Sequence, residues 1–119
     1  MKVYEIFTGD ELQIAEKIQQ RRYQLLIHSC IYYHLNASVI SDQKWNVWAK
    51  ELQHLQTSYP QIAEQVTLAE YFIDWDASTG MQLPVTLDWV VDIATKILTR
   101  HNAEAETKKK DVGKKRRLF

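Results

Sequence analysis

The sequence predicts an all-α fold, a small bundle of four to five helices with a short N-terminal arm and a basic C-terminal tail. Three observations carry that expectation. The 119 residues include only three glycines and two prolines, too few breakers for a many-turned β fold. Apolar residues make up 45% of the chain and recur at helical spacing in three long runs. Charged residues make up 25%, an ordinary globular value, so one modest core is expected over residues 1–103.

Each element has its own signals. Met1 to Phe7 alternates weakly and reads as a short strand or an extended arm on the helices. Thr8-Gly9-Asp10 offers an N-cap, because a short side-chain oxygen can accept from free first-turn amides. From Asp10 to about Leu35 no glycine or proline occurs, and Leu12, Ala15, Ile18, Leu25, Leu26 and Tyr32 form a stripe. Gln19 to Arg22 interrupts it with polar residues, which leaves room for a kink between two helices. Asn36-Ala37-Ser38 reads as a turn, and Ser41 as the N-cap of the next helix. There Trp45, Trp48, Ala49, Leu52 and Leu55 fit an amphipathic face that serves a core or an interface equally well. Pro60 ends that helix and can open the following one at its first position, with Ile62, Val66, Ala69 and Phe72 facing inward. Ile73 to Pro84 is a loop. Thr86 is expected to cap a last helix with Leu87, Val90, Val91, Ala94, Ile97 and Leu98 on one stripe.

The bulk numbers also exclude function classes. No run of about 18 apolar residues suggests a membrane span, and the charged start lacks the apolar core of a signal peptide. Cys30 is the only cysteine, so no disulfide can form within the chain, and a reducing, cytoplasmic setting is expected. His28, His34, His54 and His101 lack paired ligand spacing, so no metal site is expected. Asp74 to Gly80 starts like a calcium loop, but its twelfth position is Val85 rather than glutamate; a capped turn burying Trp75 is the expectation. The zero net charge hides an asymmetry. Glu104 to Phe119 holds seven basic and three acidic residues, against eight and twelve in the rest. That tail, expected to be flexible, presents Lys108, Lys109, Lys110, Lys114, Lys115, Arg116 and Arg117, followed by Leu118 and Phe119. It suits contact with DNA or RNA, docking of the terminal Leu-Phe on a protein partner such as a sliding clamp, or plain solvation.

One stretch carries a resemblance. Tyr32-Tyr33-His34, then Ile40-Ser41-Asp42, Trp45-Asn46, Glu51-Leu52, Leu55 and Tyr59-Pro60-Gln61-Ile62 keep a fixed spacing. Over roughly Arg22 to Ile62, about a third of the chain, this resembles the N-terminal helical domain of NAD-dependent DNA ligases. That domain holds the nicotinamide mononucleotide half of NAD. The resemblance therefore implies a nucleotide site at Tyr32, Tyr33, Asp42, Trp45 and Asn46. Aromatic faces there can attract a pyridinium ring, and a carboxylate can accept from ribose hydroxyls. Tyr33 stands where the family has histidine, and Trp45-Asn46 where it has Tyr-Asp. The structural alternative makes Asp42 a helix-dipole residue and Tyr32 and Trp45 helix-packing residues. The nucleotidyl-transfer motif Lys-x-Asp-Gly does not occur, so the expectation is a non-enzyme with no catalytic residue.

Three function classes follow. The favoured one is a free-standing, phage-encoded accessory protein that binds a host or phage protein of DNA metabolism or defence. The second is a nicotinamide mononucleotide or NAD binder. The third is a DNA-binding accessory protein. Partner identity and oligomeric state are open at this level.

Overall fold

A computed structural model describes the backbone from Lys2 to Arg117 and side-chain surroundings as far as Thr107. Six helices follow in order: α1 (Val3–Ile6), α2 (Gly9–Tyr33), α3 (Asp42–Ser58), α4 (Pro60–Gln65), α5 (Ala69–Phe72) and α6 (Asp88–Arg117). Among the described residues there is no strand, and no helix is long and apolar enough to cross a membrane. The spine is α2, against which α3, α6, α1 and α4 all pack.

The N-terminal segment is a single helical turn rather than a strand or extended arm, and it buries Val3 and Phe7. Two buried apolar residues four apart share one face of a helical turn as well as one face of a strand, so the spacing alone did not separate the two. Thr8 is the N-cap of α2 but makes no side-chain cap bond. Gly9 follows at φ +59°, a left-handed conformation that glycine adopts without steric cost. Ser41 caps α3 as expected, accepting from the Lys44 amide at 3.1 Å. Tyr59 separates α3 from α4, and Pro60 opens α4. Past Gln65 the expected inner stripe is split. Leu68 at φ +73° reverses the chain before the single turn of α5, yet Ile62, Val66 and Phe72 are all buried. The last helix begins at Asp88, two residues beyond the expected Thr86 cap, and continues past His101 to Arg117. The basic side chains from Lys108 onward, and Leu118 and Phe119, lie outside the described residues.

The polar residues Gln19 to Arg22, which left room for two helices, do not break α2, which runs as one helix from Gly9 to Tyr33. Arg22 explains it. Its side chain is fully buried and fans out to five acceptor contacts. Nε and Nη2 donate to Gln56 Oε1 of α3 at 2.9 and 2.8 Å. Nη2 also reaches the Ala63 carbonyl at 3.0 Å, and Nη1 the Val66 and Thr67 carbonyls at 2.9 and 3.2 Å. A cation is favoured there because these carbonyls close the end of α4. Burial lowers the Arg22 pKa to about 10, opposed by nearby Glu70, and the group stays charged at neutral pH. The polar break in the stripe is thus a pin joining α2, α3 and the α4–α5 turn.

Candidate functional site

Ten residues along α2 from that pin, about 15 Å at helical rise, a cavity opens beside the α2–α3 corner. Its first wall is the last turns of α2, with His28, Ser29, Tyr32 and Tyr33. The second is the corner and the first turns of α3, from Ser38 to Asp42 and then Trp45 and Asn46. The third is Ser78, Thr79 and Gly80. The enclosed volume is about 280 Å³.

Local rules place these side chains. α2 closes with the His34 and Leu35 amides on the Cys30 carbonyl and the Ala37 amide on the Ile31 carbonyl. Asn36 then sits at φ +53°, which asparagine tolerates better than most residues, and turns the chain toward α3. Because α3 starts at Asp42, residues 45 and 46 lie one turn on, at i+3 and i+4 from it, on the same face. All five residues implied by the ligase resemblance therefore line one cavity.

Tyr32 is not a core residue, as its stripe position suggested; it is 53% exposed, and Tyr33 is 37% exposed. Their rings meet edge-on at 4.9 Å. The Trp45 indole is half-buried and donates to Ser29 Oγ at 3.3 Å, which fixes its face. Trp48 points elsewhere. It sits under Arg21 and Lys44, each 5.2 Å from the ring, and beside His28. The expected amphipathic face thus divides between a site residue and a structural one.

Among the described residues, the lining contains one carboxylate, Asp42, and no lysine or arginine. Serine and threonine hydroxyls supply most other polar groups. Sequence reading missed His28, whose Nδ1 is buried with no hydrogen-bond partner among the described residues. Burial, reinforced by Lys44, holds its pKa below the ordinary histidine value, so the ring is neutral at neutral pH. The signal was present, since His28 lies four residues before Tyr32 on one helix face. Ser78 to Gly80 gave no such signal, because only the fold brings them here.

The Asp74–Gly80 loop buries Trp75, as expected. Asp76 accepts from the Ser78 hydroxyl at 2.7 Å and its amide at 2.9 Å, and these bonds hold its carboxyl below the usual range. Its carboxylate is spent on the turn. Among the described residues no group of three or more His, Cys, Asp or Glu side chains could hold a metal ion.

Comparison with known proteins bears on this geometry. Residues 11–66 match the family model of the DNA ligase-like, N-terminal NAD+-binding domain. A DNA ligase of Bacteroides fragilis is 39% identical over 54 residues, 45% of this chain and 8% of the relative. A DNA ligase of Fusobacterium nucleatum is 38% identical over 58 residues, 49% of this chain and 8% of the relative. The chain thus spans less than a tenth of the length of these relatives. No solved structure matches it. The ligase resemblance extends further toward the N-terminus than the stretch from Arg22, and takes in nearly all of α2.

Proposed function

We propose that the chain is a nicotinamide-nucleotide-binding module, which holds a nicotinamide mononucleotide unit in the cavity between α2 and α3. The observation that carries this reading is convergence. Five residues spread over fifteen positions, each implied by the ligase resemblance, line the same cavity within a segment that matches an NAD+-binding domain. Packing alone would not require Tyr32, Tyr33, Asp42 and Asn46 to stay exposed around a shared space.

The chemistry of the lining fits a pyridinium ring and its ribose. Tyr32, Tyr33 and Trp45 offer aromatic faces or edges for the ring, and Asp42 offers the one negative charge that a cationic ring prefers. The carboxylate and the surrounding hydroxyls can bond ribose hydroxyls. The substitution of Asn46 for an acidic residue leaves this charge single. These residues bind and orient; the 119 residues contain no Lys-x-Asp-Gly, so nucleotidyl transfer is assigned to none of them. Calorimetry of the chain with nicotinamide mononucleotide tests the proposal. A binding isotherm that is weakened about tenfold by Asp42→Asn supports it, and no heat at millimolar ligand sinks it.

A second reading, that of an accessory protein of DNA metabolism, draws on the charge asymmetry of the C-terminal segment. Seven basic residues after Thr107 would add phosphate contacts and a matching dependence on salt. Replacing all seven with glutamine should then flatten the salt dependence of DNA binding. An unchanged slope would exclude the segment as an electrostatic anchor.

A further inference from the structure

The ligase-like segment ends at residue 66, yet Ser78, Thr79 and Gly80 supply a wall of the cavity. This arch is fastened in place. Trp75 is buried, stands edge-on to Phe72 at 5.2 Å and to Trp45 at 6.0 Å, and donates its indole N–H to the Thr79 carbonyl at 2.8 Å. Asp76 ties down Ser78 through its amide and hydroxyl. Gly80 lies so close to α2 that a Cβ there would overlap Ser29 Oγ and come within 2.6 Å of Ser29 Cβ. Only glycine lets the arch approach so closely.

Thr79 then joins the arch to the ligase-like segment. Its hydroxyl shares a 2.7 Å hydrogen bond with the Tyr33 hydroxyl and accepts from the Met81 amide at 3.1 Å. The Tyr33 bond is exposed, so it stands at the rim rather than in the floor. It is also a bond that Tyr33 can make and a histidine at that position would make differently. The space it helps enclose, about 280 Å³, falls at the small end of ligand sites, which run from about 300 Å³ to 1,000 Å³.

From this geometry we infer that the arch is a specificity element: the Tyr33–Thr79 link narrows the rim of the site and favours a single nicotinamide nucleotide over a dinucleotide. The inference rests on the nicotinamide-nucleotide reading above. Thr79 and Gly80 act by shaping the site, with no part in bond making.

The test is calorimetry of the whole chain with nicotinamide mononucleotide and with NAD, repeated on Tyr33→Phe and Thr79→Val. Each variant removes a hydroxyl from the rim and leaves the rest of the side chain close to its original shape. The wild type should prefer the mononucleotide by about tenfold or more, and each variant should cut that preference to about threefold or less, mainly by gaining NAD affinity. Gly80→Ala should weaken both ligands by displacing the arch; circular dichroism checks that its helices persist. Equal binding of both ligands by the wild type, or an undiminished preference in both hydroxyl variants, overturns the inference and leaves the binding module standing. A wild type that binds neither ligand overturns both.

Discussion

Two polar clusters sit on α2 about 15 Å apart, and they are built on opposite principles. At Arg22 the polar group is fully buried and its donors are consumed by Gln56 and three backbone carbonyls. At the α2–α3 corner polar groups surround a space instead. Asp42 has no hydrogen-bond partner for its side chain among the described residues, His28 Nδ1 is unpaired, and Tyr32 is more than half exposed. A buried polar group satisfied from within is a structural device, since each lost partner costs free energy. Exposed polar and aromatic groups gathered around a cavity are hydrated instead, and are free to meet a ligand. The difference separates the pin from the site without reference to any relative.

The sharpest way to break the comparison is at the pin. Arg22→Leu strands the Gln56 amide oxygen and three carbonyls, and should lower unfolding free energy by on the order of 3 kcal/mol. Urea denaturation measures this, and nucleotide affinity of the folded fraction should not change. At the site the pattern inverts. Asp42→Asn should weaken nicotinamide mononucleotide by about tenfold, roughly 1.4 kcal/mol, while stability falls by no more than about 0.5 kcal/mol from the helix N-terminus. A large stability loss with intact binding would make Asp42 a structural residue.

Ser41→Ala probes the corner between the two regimes. It removes the cap on the Lys44 amide and should cost about 1 kcal/mol in thermal or urea unfolding. The smallest effect concerns pH. His28 is held neutral in the fold, with its pKa below the unfolded value near 6.5. Below that value the unfolded chain takes up a proton that the folded chain resists, so stability falls as pH drops from about 6.5 toward the folded pKa. One proton limits the slope to about 1.4 kcal/mol per pH unit. His28→Gln should flatten the profile in that window; an unaltered profile would assign the acid sensitivity to other groups.

Much of the fold was legible because it depends on local rules. The scarcity of glycine and proline, the stripes on α2, α3 and α6, the Ser41 cap and the Pro60 boundary each act within a few residues. The five residues from Tyr32 to Asn46 were legible through the ligase resemblance, and two helices with a short corner bring them together. Other features were not. Arg22 looked like a break in a stripe because its partners, Gln56 and residues 63 to 67, lie 34 to 45 positions away. Met1 to Phe7 looked extended because two apolar residues at i and i+4 also fit a weak alternation.

The sequence by itself therefore determined the three long helices, the Ser41 cap and the Pro60 boundary. Only the tertiary structure decided that Trp75 would anchor an arch, that Gly80 would press on Ser29, and that Thr79 would reach Tyr33 46 positions away. The physical reason is range. Helix periodicity and capping act over one turn or a few, whereas the third wall depends on how α2, α3 and the Asp74–Gly80 loop pack together, and no local spacing encodes that.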